Sequence, residues 1–115
     1  MSEPATINRF AVMLLPTEAC LDWVKSCPDG DSHTTLDELQ REPTVYLIPE
    51  GKAKPESYIR RHYKAMFQEE LNSWYTDREL WPRDLSLKMF KKFFTIYVSS
   101  MVFDLGKGII LREED

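Results

Sequence analysis

Four side chains in this sequence have the chemistry of metal ligands, nucleophiles or near-neutral acids and bases: Cys20, Cys27, His33 and His62. Zinc sites use ligand pairs two to four residues apart, or two histidines one helical turn apart, and no pair here has that spacing. No metal or other cofactor is therefore expected. Nucleophilic catalysis would need Cys20 or Cys27 drawn down in pKa by a helix N-terminus or a basic neighbour. Cys20 does fall near the start of the helix read from "TEACLDWVKSCP", where the dipole favours a thiolate. Both cysteines, however, recur with Trp23 and Val24 at i, i+3, i+4, i+7, the pattern of a packed apolar stripe. Seven helical residues separate their Cα atoms by roughly 10 Å, beyond the roughly 7 Å that a disulfide spans. Two free thiols suit a reducing compartment.

His62 lies one turn after Ile59 and one turn before Met66, at the edge of an apolar stripe. It is a possible general base, and more simply an amphipathic boundary residue. His33, in "DGDSH", reads as solvated. The tripeptide "GKG" at 106–108 lacks the spacing of a phosphate-binding loop and reads as a hairpin turn. The adjacent pairs Glu69–Glu70 and Asp37–Glu38 diverge by roughly 100° around a helix, so they read as solvated surface. An enzyme with a small polar ligand, using Cys20 or His62 with help from Arg60 or Arg61, is one functional alternative.

Charge is distributed unevenly. The formal net charge is -4 and the pI is near 5.2, which argues against a dedicated nucleic-acid binder. Residues 17–50 carry eight acids against Lys25 and Arg41, a balance of -6, whereas residues 51–92 carry ten bases against six acids, a balance of +4. Arg60, Arg61 and Lys64 cluster on one helix, and Lys88, Lys91 and Lys92 on a later one. If the two faces adjoin, they form a patch for an anion, an acidic partner or a nucleic-acid backbone.

The densest aromatic stretch is "LNSWYTDRELWP", residues 71–82. Aromatic and arginine side chains dominate binding hot spots, so Tyr75 and Trp81 as anchors, with Arg78 and Arg83 as rim charges, form the leading candidate surface. Trp74 continues the stripe Ile59, Tyr63, Met66, Phe67, Leu71 and is expected to be core. Trp81, held before Pro82, either faces a partner or seals the base of a sheet.

The elements that must position these residues follow from periodicity and turn chemistry. "RFAVMLL" is a continuous apolar run ended by Pro16, as in a central strand covered on both faces. Thr17 is expected to cap the helix that follows, and Pro28, Gly30 and Asp31 to form an exposed loop. Thr35 and Glu38 form a capping box for a short helix presenting Leu36 and Leu39 and stopped by Pro43. "TVYLI" is a second strand ended by Pro49. Pro55 opens the longest helix. Asp84 or Ser86 caps a further helix whose Leu87, Phe90, Phe93 and Phe94 face the core. "TIYVSSMVFDL" alternates as a strand, and "IILRE" is expected to return beside it as an antiparallel hairpin.

At "PTVYLIPE", "EELNSWYTDRELWP" and "TIYVSSMVFDL" the sequence resembles a family of small bacterial proteins known as uncharacterised hypothetical proteins. The resemblance runs from about residue 10 to 110. It implies a bacterial source, a cytoplasmic home and a one-domain architecture, and it carries no activity.

The expected fold is one α+β domain over residues 1–115, with flexible ends at 1–8 and 113–115. Its element order is β-α-α-β-α-α-β-β, a four-stranded sheet with helices mainly on one face. No apolar run approaches the roughly 20 residues that cross a bilayer, and the N-terminus lacks the pattern of a signal peptide. The expected function is a non-enzymatic cytoplasmic interaction or regulatory domain with a protein partner.

Overall fold

A computed structural model describes residues 5–28 and 30–113. The elements run β1 (Ala5–Thr6), β2 (Arg9–Pro16), α1 (Glu18–Ser26), α2 (Leu36–Gln40), β3 (Thr44–Pro49), α3 (Pro55–Trp74), a 3₁₀ turn (Arg78–Leu80), α4 (Leu87–Phe93), β4 (Phe94–Ser99) and β5 (Phe103–Asp104). The α+β class expected from the sequence is present; the single four-stranded sheet is not. Instead β2 lies between β3 and β4 in a three-stranded antiparallel sheet, and β1 pairs with β5 in a separate two-stranded ribbon.

The register explains the departure. The β2–β4 ladder runs from Pro16↔Phe94 to Ala11↔Ser99 and stops there. Beyond the bend at Ser100, the Ile7 amide donates to the Val102 carbonyl at 3.2 Å, and Ala5 and Thr6 pair with Asp104 and Phe103. The chain's last ladder is thus supplied by its N-terminal segment, and "IILRE" forms no strand. At 106–108 the Gly106 amide caps the Asp104 carboxylate at 2.8 Å rather than closing a two-residue hairpin turn. Of the termini read as flexible, residues 1–4 and 114–115 lie outside the described residues.

One core fills the space between the sheet and the helices. From β2, β3 and β4 it takes the inward set Val12, Leu14, Ile48 and Phe94. From the helices it takes Cys20, Leu21, Val24, Leu39, Ile59, Met66, Phe67, Leu71, Phe90 and Phe93. Phe67 is fully enclosed and lies against Phe90, Phe93 and Phe94 at centroid distances of 5.4 to 6.1 Å, within the range of favourable aromatic pairing. Two consecutive residues, Phe93 and Phe94, can both point inward because the chain passes from helix to strand between them.

Local chemistry at the helix ends mostly follows the sequence. The Thr35 hydroxyl accepts from the Glu38 amide, and the Ser86 hydroxyl from the Met89 amide, so Ser86 and not Asp84 caps α4. Asp84 instead accepts from the Ser86 amide at 3.0 Å. Thr17 occupies the first cap of α1 without capping it. Its hydroxyl reaches the carbonyls of Lys92 at 2.6 Å and Phe93 at 3.0 Å, tying the start of α1 to the end of α4. Gly30 follows α1 so closely that a side chain there would run into the Val24 carbonyl.

Two burial expectations are reversed. Trp74, expected in the core, is 43% exposed, whereas Trp81 is only 8% exposed. α3 ends at Trp74, whose ring lies at the rim of an open cleft that Leu39, Pro43 and Thr44 also line. The second reversal concerns β2, which was expected to be covered on both faces. Its alternate residues Ala11, Met13 and Leu15 are only partly buried, because the helices lie on the other face.

Candidate functional site

The residues first singled out, Tyr75 and Trp81, turn their polar ends inward. The Trp81 indole Nε1 donates to the Tyr75 carbonyl at 2.7 Å, and the Tyr75 hydroxyl donates to the Val24 carbonyl at 3.1 Å. Trp23 completes the arrangement, donating from its indole to the Leu80 carbonyl at 2.9 Å and meeting Tyr75 edge to face at 5.5 Å. Three aromatic tips thus satisfy three backbone carbonyls, those of Tyr75 and Leu80 in the loop and that of Val24 in α1, a use that suits buried tyrosine and tryptophan. Arg78 lies over the Trp81 ring at 5.1 Å. Arg83 is exposed and lines a shallow groove with Tyr63, Lys64 and Gln68. Of the two roles left open for Trp81, this placement is that of a seal at one end of the core.

The basic residues are brought together only in part. Arg60 and Lys91 line one cleft of about 290 Å³ with Glu56, Ile59, Ile96 and Val98, so α3 and α4 do present charge to a common space. Lys64 lies instead on the groove with Arg83. Arg61, Lys88 and Lys92 are exposed on their own helix faces and line neither space.

Both cysteines are buried. Burial, followed by the Glu70 carboxylate, pushes the Cys20 thiol up to about 12, the opposite of what nucleophilic activation requires. The Cys27 thiol donates to the Trp23 carbonyl at 3.4 Å. His62 is exposed and stacks on Tyr58 at a centroid distance of 4.2 Å, and His33 is exposed with its amide donating to the Asp31 carboxylate. Among the described residues no three of His, Cys, Asp and Glu come together as a metal-binding group. Within them, no helix is long and apolar enough to cross a membrane.

Glu70, read from the sequence as solvated surface, is instead half-buried. Its Oε2 accepts from the Tyr46 hydroxyl at 2.9 Å. Burial raises its pKa against the opposing hydrogen bonds from Thr44 and Tyr46, and neighbouring Glu69 raises it further. The reciprocal effect holds the Tyr46 hydroxyl well above the usual phenol range, with burial the larger cause. The available signal was position: Glu70 is four residues after Met66 and three after Phe67, hence on the apolar stripe. A small cleft of about 210 Å³ beside it is lined by Thr44, Ser73 and the exposed Trp74.

The exposed apolar residues on the open face of the sheet were not anticipated. On the sheet face away from the helices, the register places Val45, Met13 and Tyr97 in one row and Leu47, Ala11 and Ser99 in the next. Val45, Leu47 and Tyr97 are 52%, 47% and 50% exposed. No charged residue occupies either row. Beyond the sheet, Met101, Phe103, Leu105, Ile109, Ile110 and Leu111 are also exposed. An antiparallel sheet with one solvated face normally alternates apolar with polar, and Val45, Leu47, Met13 and Tyr97 break that alternation.

No family model, curated protein or solved structure matches the chain.

Proposed function

We propose that the protein is a non-enzymatic, cytoplasmic interaction domain that binds a protein partner across the open face of its three-stranded sheet. The carrying observation is the uncharged row Val45–Met13–Tyr97 with Leu47 beside it, uncovered while the opposite face is packed by all four helices. Contiguous apolar patches of that kind mark interaction sites in small proteins. A cytoplasmic home is supported by Cys20, held as a buried thiol. A non-enzymatic role is supported by the burial of Cys20, which pushes its thiol up to about 12, and by the stacking of the exposed His62 on Tyr58. In this reading Tyr75 and Trp81 stabilise the loop beside the core, and Arg78 and Arg83 remain solvent-facing charges.

A second reading, binding of a small anion, is favoured by the meeting of Arg60 and Lys91 in one cleft. Glu56 in the same cleft opposes it, and the net charge of -4 opposes a nucleic-acid backbone.

Capture from cell extract separates the readings. The tagged full chain is expected to retain a partner that is lost with Val45→Lys/Tyr97→Lys and kept with Arg60→Glu/Lys91→Glu. Loss only in the second variant would transfer the role to the cleft, and equal recovery with both would remove the open face.

A further inference from the structure

We infer that the occupant of the open sheet face is a second copy of this chain, whose C-terminal arm, residues 101–111, lies across that face while its own face receives the first copy's arm. The inference rests on the reading of the open face as a docking surface and adds the identity of what docks there.

Shape is the first support. The radius of gyration is 16.2 Å and the longest dimension 52 Å against 30 and 27 Å for the others, where a compact chain of this length has a radius near 13 Å. The excess length has a structural source. β1 continues β2 past its bend and β5 continues β4, so the β1–β5 ribbon projects from the Arg9 end of the sheet and residues 105–113 follow it without a ladder.

Area is the second. Tyr97 and Phe103, each about half exposed, leave on the order of 100 Å² of ring accessible apiece. Taken together, the exposed apolar residues of the face and of the arm, two separate surfaces, present roughly 1,000 Å², sufficient for the roughly 800 Å² per partner of a stable interface. A reciprocal exchange covers both surfaces with a single kind of contact, and two-fold closure stops the assembly at two copies. A foreign partner covering the face alone would leave the arm's Ile109, 84% exposed, and Leu111, 76% exposed, in water.

The arm meets its own chain only at the edge of the face: Ile110 and Arg112 line, with Leu47, Pro49 and Tyr58, an open cavity of about 670 Å³, which the row Val45–Met13–Tyr97 does not line, and Ile110 stays 63% exposed. The uncharged rows of the face offer nothing to select a charged ligand, whereas apolar arm side chains match them.

Light scattering and chemical cross-linking of the full chain test the inference. The wild type is expected to show twice the chain mass of 13.6 kDa, and Val45→Lys/Tyr97→Lys the mass of one chain. Val45→Cys and Ile110→Cys proteins, purified separately and mixed, are expected to join through a short bismaleimide into a two-chain species that neither gives alone, with Cys20 and Cys27 protected by burial. A wild type of single-chain mass at every concentration overturns the inference while leaving the docking reading to the capture experiment. A dimer that survives Val45→Lys/Tyr97→Lys overturns the inference, and the docking reading is again decided by the capture experiment. Cross-linking within single chains of a Val45→Cys/Ile110→Cys protein, without dimers, assigns the face to the chain's own arm and also overturns the inference.

Discussion

The indole of Trp81 donates to the carbonyl of Tyr75, six residues earlier, at 2.7 Å. That bond folds residues 75–81 into a clasp, and Tyr75 passes the connection on to α1 through the Val24 carbonyl. An aromatic cluster that has the composition of a binding hot spot is therefore committed to holding a loop against the core.

The first prediction concerns stability. Trp81→Ala removes a buried ring and an indole hydrogen bond and should cost about 3–5 kcal/mol, as large-to-small changes in cores do. Trp74→Ala, at a ring left 43% exposed, should cost about 1 kcal/mol. Tyr75→Phe, which leaves the Val24 carbonyl without its donor, should lie near 1 kcal/mol. Urea denaturation of the three variants measures the ordering, and an equal cost for Trp74→Ala and Trp81→Ala would contradict the placement of the two rings.

Thiol chemistry gives the second. With Cys20 pushed up to about 12 and both side chains buried, iodoacetamide at pH 7 should label neither cysteine in the folded protein and should label both once urea unfolds it. Rapid labelling of Cys20 in the native state would revive a catalytic role for it.

The third follows from Glu70, whose pKa is raised in the folded protein. The folded state then holds the Glu70 proton over a pH range in which the unfolded chain has released it. This contribution is fully present below the ordinary carboxylate pKa of about 4.3 and is lost as pH rises through the elevated folded value. Glu70→Gln, which keeps an acceptor for Tyr46 and carries no charge, should gain melting temperature relative to wild type as pH rises from 4 toward neutrality. A difference that is constant across that range would show that Glu70 ionises freely.

How much of this was legible beforehand varied with the kind of information each feature needs. Periods and caps are local, so α3 from Pro55, the Thr35 hydroxyl cap and the strands ended by Pro16 and Pro49 could be read directly. Strand partners are not local. The alternation in "TIYVSSMVFDL" is genuine, but nothing in it says that Phe103 and Asp104 pair with Ala5 and Thr6, nearly the length of the chain away. Burial at an element's end was equally hidden: Trp74 is in phase with the α3 stripe, and a helical period does not say where along the helix the core ends. The open face escaped notice because a continuous apolar strand such as "RFAVMLL" has the same sequence whether its second face meets a helix or a partner.

The fourth prediction tests the proposed surface without reference to any partner. Val45→Lys and Tyr97→Lys place charges where the side chains are half exposed, so each should change folding stability by no more than about 1 kcal/mol. Lysine at Leu14 or Val12, fully enclosed on the other face, should prevent folding. Measured at dilution where the protein is a single chain, a large loss of stability at Tyr97 would mean that the face is already covered within one chain.

The most direct measurement of the central claim is hydroxyl-radical footprinting of the full chain, comparing dilute purified protein with protein in concentrated cell extract. The open-face account predicts that Tyr97 and Met13 lose reactivity in the extract while Trp74 and His62 keep theirs. Unchanged reactivity at Tyr97, with protection at Arg60 and Lys91 or at the Arg78 turn instead, would contradict it.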